Sequence, residues 1–110
     1  MRNVPETQKF MEKHCYLVNN TSENRYEMEV EGQKAYIDYR TWPDAVELTY
    51  TYVPASCRGK QAGSKLVEAV LEHVRAQRLK VIPRCGFVAR WIQRHPEWEG
   101  IVATETIREE

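Results

Sequence analysis

Residues 50–63 read Tyr-Thr-Tyr-Val-Pro-Ala-Ser-Cys-Arg-Gly-Lys-Gln-Ala-Gly. Aromatic and β-branched residues up to Val53 suit a strand, which Pro54 stops by withdrawing a backbone donor. A basic, glycine-bearing loop follows, and beyond it the apolar period changes. Leu66, Val67, Val70, Leu71 and Val74 form a helical stripe, with Lys65, Glu68, Glu72 and Arg75 on the other face. Strand, basic loop and helix in that order build an anion site, because the first N–H groups of a helix lack intrahelical partners. The helix dipole adds roughly half a positive charge there. Arg58 and Lys60 add whole ones, while Gly59 and Gly63 permit close approach. A phosphate-bearing ligand is the natural occupant.

Upstream the pattern is an antiparallel meander. Tyr26, Met28 and Val30 alternate on one strand; Glu31-Gly32-Gln33 turns the chain; Ala35, Ile37 and Tyr39 mark the return. Trp42-Pro43-Asp44 breaks this strand, and residues 45–53 form a third, with Val46, Leu48, Tyr50 and Tyr52 expected on one face. Downstream, Leu79 to Ile82 is a short strand ended by Pro83, expected parallel to the third strand through a right-handed crossover. Phe87, Val88, Trp91, Ile92 and His95 then give a second helix, ended by Pro96. Trp98, Ile101 and Val102 are expected to pack back on the domain. The expected order is β-β-β-α-β-α, an α+β fold, with residues 1–15 as an extension carrying at most a helical turn and 16–110 as one domain.

Composition narrows the function. With 110 residues, 16 Lys plus Arg and 16 Asp plus Glu, the chain has no net charge. That argues against a nucleic-acid binder. No apolar run approaches the ~20 residues of a membrane span, and no signal-peptide core opens the chain. Three widely spaced cysteines suit neither a disulfide framework nor a zinc site. A cytoplasmic protein with no metal and no membrane partner is expected, as a monomer or weak homodimer, so the sequons at Asn19 and Asn20 are read as coincidental.

The loop is neither a Walker A motif nor a dinucleotide fingerprint, since the glycine spacing fits neither. Yet Y-V-P-x-x-x-R-G-x-x-x-G-x-x-L-V, then L-K-V-I-P-R-C-x-F-V, then R-H-P-E, resembles the small GNAT-type N-acetyltransferases. More narrowly it is similar to their minimal, YjdJ-type subfamily, from about Arg25 to Trp98. The resemblance implies a minimal GNAT-like fold with a splayed central sheet and acetyl-CoA as co-substrate. It also implies transfer of acetyl to an amine acceptor whose identity the chain does not reveal. Carried over, the backbone of Tyr52 and Val53 would pair with the pantetheine arm, in a splay after Val53. Arg58, Gly59, Lys60, Gln61, Ala62, Gly63 and Ser64 would cradle the pyrophosphate. The family loop runs R/Q-x-x-G-x-G/A, and this chain departs from it with Gln61 at the fourth position.

Cys85 is the candidate catalytic residue. It precedes the second helix, whose dipole and the neighbouring Arg84 favour a thiolate. An unperturbed thiol is only about 3% ionised at pH 7. The bland alternative is a small apolar filler. The resemblance places this cysteine near the CoA sulfur, compatible with a transient acetyl-thiol or with simple packing. Many relatives have histidine where this chain has Tyr50, a poor base at neutral pH. Glu47 is read as a solvated strand residue and only secondarily as a substitute base. His73 is expected at the surface or boundary, His95 as a helix-ending residue, and Cys57 as exposed and oxidisable. A CoA-binding module without efficient catalysis, or an interaction domain with a vestigial cleft, stand as the alternatives.

Overall fold

A computed structural model describes residues 11–12, 15–59 and 61–103 of the chain. Six strands form one sheet in sequence order: β1 (Met11–Glu12), β2 (Cys15–Asn20), β3 (Arg25–Val30), β4 (Gln33–Trp42), β5 (Ala45–Tyr52) and β6 (Lys80–Pro83). The first five are antiparallel neighbours, and β6 runs parallel to β5, joined to it by helix α1 (Ala62–Ala76). Helix α2 (Gly86–Gln93) and a 3-10 segment (Pro96–Ile101) complete the chain. Val102 adds one isolated parallel bridge to Val81. The fold is α+β, with the expected order from β3 through α2.

The sequence reading lacked β1 and β2. From Tyr16 to Asn20 only Leu17 is buried, and Asn19-Asn20 are poor strand formers, so the local signal is weak. Pairing with β3 and the Tyr39 hydroxyl, which donates to Asn19 Oδ1 at 2.7 Å, hold it in place. Met11–Glu12 is extended and paired, not a helical turn. The rest of the expected N-terminal extension lies outside the described residues.

One face of the sheet carries the core. Tyr26, Met28, Ala35, Ile37, Leu48 and Val81 point from it into the helical stripes of α1 and α2, and Leu66, Val67, Val70, Leu71 and Val74 are fully enclosed. Burying each such side chain stabilises the fold by about 1.5–3 kcal/mol. Trp91 and Trp98 close the core, with the Arg75 guanidinium 4.2 Å from the Trp98 ring centroid. His73 is buried too, its ring edge-on to Tyr26 with centroids 5.5 Å apart, so the surface placement expected for it does not hold.

The opposite face presents Arg25, Glu27, Tyr36, Asp38, Arg40 and Glu47, and of these only Glu47 is buried. Tyr50 and Tyr52 lie on this face, against expectation. The cause is a β-bulge: Leu48 pairs with Tyr39 but Tyr50 pairs with Asp38, leaving Thr49 as the extra residue. A bulge of one residue reverses side-chain parity beyond it. Thr51, rather than Tyr50 or Tyr52, therefore turns toward the helices. Among the described residues no helix is long and apolar enough to cross a membrane, and no cluster of side chains suits a metal ion.

Candidate active site

The same bulge makes the site. Pairing of β5 with β6 stops at Leu48 and Pro83, well before Val53, so the strands part earlier than expected. Proline cannot donate to continue the ladder, and β5 bends at Thr49. The last rung is made by Cys85, whose N–H donates to the Leu48 carbonyl at 2.9 Å. Beyond it opens a cleft of about 570 Å³, lined by Thr51, Val53, Arg58, Gly59, Gln61, Ala62, Gly63, Ser64 and Phe87.

At the mouth, α1 begins with Gln61 as its N-cap, without a side-chain cap and without an acidic residue in the first turn. The leading amides of Ala62, Gly63 and Ser64 thus meet no side chain of the helix's own, which suits an incoming anion. Gly59 has φ +89° and Gln61 φ +67°. The second of these is the position where the family loop has glycine, and the left-handed backbone explains why. Gln61 holds that conformation at a strain of about 1–2 kcal/mol. Gly63 is required for another reason: a Cβ there would stand 2.7 Å from Phe87 Cζ. Ser64 Oγ accepts a hydrogen bond from Trp91 Nε1 at 2.8 Å, tying α1 to α2 above the cleft.

Arg58 Nε donates to the Val53 carbonyl at 2.8 Å, so the arginine lies folded across the end of β5. Of the residues expected to hold a cofactor, Val53, Arg58, Gly59, Gln61, Ala62, Gly63 and Ser64 line the cleft. The Tyr52 side chain lies on the other face of the sheet, and Lys60 is outside the described residues.

Cys85 caps α2 at the apex where the strands diverge, and its Sγ lies 3.3 Å from Thr51 Oγ1. Burial pushes the thiol up, but the Thr51 hydroxyl and the amides of Val88, Phe87 and Thr51 outweigh it, so the thiol ionises below its ordinary range. Thr51 and Phe87 were missed by the sequence reading. Only the bulge turns Thr51 inward, and nothing local announces a bulge. Cys57, in contrast, is fully buried beneath the 3-10 turn Ala55–Cys57, not exposed.

Glu47 is not a solvated residue. Its carboxylate accepts from Arg84 Nε at 2.9 Å and Trp42 Nε1 at 3.0 Å, with Arg40 Nε 3.7 Å away. Those donors, Arg84 first, hold it below the usual carboxylate range despite burial. A carboxylate so engaged is a poor base. His95 stacks on Trp91, with ring centroids 3.8 Å apart, and its Nδ1 lies 2.8 Å from the Trp91 carbonyl; it ends α2 and stands apart from the cleft lining.

A sheet split beside a helix N-terminus, with the loop between, is the architecture of the GNAT class. Residues 25–101 match the family model described as GCN5-related N-acetyl-transferase, and the chain belongs to that family. Among solved structures it is similar to the solution structure of a GCN5-like protein from Staphylococcus aureus. That match has 22% identity and a TM-score of 0.58, covering 86% of this chain and 93% of that one. Glucosamine-6-phosphate N-acetyltransferase from Arabidopsis thaliana also matches, at 14% identity and a TM-score of 0.47, over 82% of this chain and 67% of that one.

Proposed function

We propose that this protein binds acetyl-CoA in the cleft and transfers the acetyl group to an amine, with Cys85 carrying it in between. The observation that carries the reading is the position of Cys85: its thiol, whose ionisation is eased, lies where β5 and β6 part and 3.3 Å from Thr51 of the cleft lining, and the mouth of that cleft is a helix N-terminus without a side-chain cap. In this reading the α1 amides and Arg58 bind the pyrophosphate, which requires the arginine to leave the Val53 carbonyl. That carbonyl then becomes available to an extended amide-bearing arm, as parted strands offer unpaired backbone groups.

The Cys85 thiolate attacks the thioester carbonyl. The bond to the CoA sulfur breaks, and CoA leaves as a thiolate that takes a proton from solvent. A neutral amine then attacks the acetyl-cysteine, Sγ departs as thiolate, and the amine proton passes to water. Thr51 and the α2 amides stabilise Sγ each time it carries charge. Only interactions stronger in the transition state than in the ground state raise the rate, so phosphate contacts serve binding.

The test joins calorimetry to mass spectrometry. Acetyl-CoA and CoA should bind, and dephospho-CoA serves as the comparison. Arg58→Glu should weaken binding at least tenfold at unchanged stability, since one good charge-assisted contact is worth about 1.5–3 kcal/mol. Incubation with acetyl-CoA should add one acetyl group to the protein, absent in Cys85→Ala. Unchanged affinity in Arg58→Glu removes the phosphate loop. Binding without acetylation or turnover moves the reading to an acyl-CoA-binding module, which Tyr50 in place of a histidine favours, and no binding at all moves it to an interaction domain, toward which the strained Gln61 leans.

A further inference from the structure

The open face of the sheet holds two arginines on one buried carboxylate. Glu47 is 5% exposed; Arg84 and Arg40 approach its two oxygens through Nε, at 2.9 Å and 3.7 Å. Trp42 Nε1 donates to the same Oε1 that faces Arg40. Each guanidinium meets Glu47 through Nε, and the two side chains remain 65% and 68% exposed, so both can meet a molecule from solvent. Two cations on one anion give the cluster a net charge of plus one. The buried carboxylate meets three donors and has little capacity for a further cation. A pair of guanidinium edges fixed from behind in this way is preorganised for an external carboxylate, the group whose planar geometry matches the arginine fork.

Its place in the fold gives the cluster a role. Glu47 precedes the last β5–β6 rungs, and Arg84 is the residue before Cys85. Successive side chains of an extended segment point to opposite faces. Arg84 accordingly lies on the open face with Glu47, while the Cys85 sulfur meets Thr51 of the cleft lining, and the β5–β6 ladder ends beside them. A molecule held on Arg84 therefore stands one residue from Cys85, where the β5–β6 pairing ends.

We infer that the acceptor is an amine that also bears a carboxylate, anchored by Arg40 and Arg84 on the open face so that its amino group reaches Cys85 through the parted strands. This rests on the acetyl-transfer reading for the reaction, but not for the anchor, which is a binding site in its own right.

The experiment compares acceptors in matched pairs: glycine, γ-aminobutyrate and ε-aminocaproate, each against the amine lacking its carboxylate. At least one carboxylate-bearing member should show a KM about tenfold lower than its partner, as expected for a hydrogen bond to a charged group. That preference should vanish in Arg84→Gln and Arg40→Gln and return only in part in Arg84→Lys, which keeps the charge but not the fork. In parallel, titration of the wild-type protein with the same compounds is followed by the Trp42 indole N–H resonance, which reports on Glu47 without any chemistry. A shift with carboxylate-bearing amines but not with simple amines, lost in Arg84→Gln, supports the anchor even if no acetyl transfer occurs. Equal KM values with an unmoved Trp42 resonance overturn it, and leave the transferase reading intact if turnover is seen. A Trp42 shift that persists in both arginine variants also overturns it.

Discussion

A single hydroxyl decides how the thiol at the cleft apex behaves. Thr51 Oγ1 is 3.3 Å from Cys85 Sγ and offsets much of the burial that would otherwise raise that thiol. Thr51→Val keeps the shape and removes the donor, so the thiol should ionise at higher pH. Iodoacetamide alkylation of Cys85 near neutral pH should slow by about fivefold, while Thr51→Ser keeps most of the reactivity. An unchanged pH–rate profile in the valine variant would show that the α2 amides alone stabilise the thiolate. Gln61 is the second residue that can be judged singly. Gln61→Gly removes the left-handed strain of about 1–2 kcal/mol, and returns part of it through the greater freedom of the unfolded chain. A net gain of about 0.5–1 kcal/mol is expected in urea unfolding. Gln61→Ala should give none of it, since alanine suffers the same backbone penalty.

Elements meet where Gly63 of α1 touches Phe87 of α2, and here the effect of one change depends on another. Alanine at position 63 gains helix propensity worth up to about 1 kcal/mol. Its Cβ, however, would lie 2.7 Å from Phe87 Cζ, and overpacking costs about 1–3 kcal/mol. Gly63→Ala should therefore destabilise the protein and narrow the cleft. In a Phe87→Leu background the same substitution should stabilise it. A double-mutant cycle in urea reads that reversal of sign, and additive effects would mean that the ring simply swings aside.

The legibility of the sequence divides at this scale too. The 3.6-residue stripe of Leu66 to Val74 and the alternation of Tyr26 to Tyr39 report their own burial, so α1, α2, β3 and β4 were readable. The place of the loop ahead of α1 was readable because Pro54 stops the strand and the apolar period changes beyond Gly63. What was not readable depends on partners distant in sequence. The Thr49 bulge exists only against β4, and it moves Tyr50, Thr51 and Tyr52 to faces opposite to their local parity. Glu47 looks like any strand glutamate until Arg84, thirty-seven residues later, is brought to it. His73 falls on the buried face by its spacing from Leu66 and Val70, but that Tyr26 supplies a ring to receive a polar side chain there is not local information.

For the molecule as a whole, His73 and Glu47, buried on opposite faces of the sheet, are the two buried groups among the described residues that titrate in acid, and they set how stability responds there. Burial lowers the His73 pKa below its ordinary value, so the unfolded chain takes up a proton more readily than the folded one. Stability is then full above the unfolded value of about 6.5 and falls as pH drops from there toward the folded pKa. The neighbouring Tyr26 is pushed upward by burial and stays neutral throughout this range, so it contributes no slope. Glu47 acts in a lower window. Its folded pKa is depressed by Arg84 and Trp42, so its contribution is intact above the unfolded value of about 4.3 and is lost as pH falls through the folded one. Urea midpoints measured from about pH 7.5 down to about pH 3.5 should therefore decline in two stages. His73→Phe should flatten the first stage, because a neutral ring of similar size cannot take the proton. Glu47→Gln should flatten the second at a cost in stability near neutral pH, since Arg84 and Arg40 then face no charge. If His73→Phe leaves the slope near pH 6 unchanged, the core histidine does not govern the onset of acid unfolding. The acid response would then belong to the carboxylates of the open face.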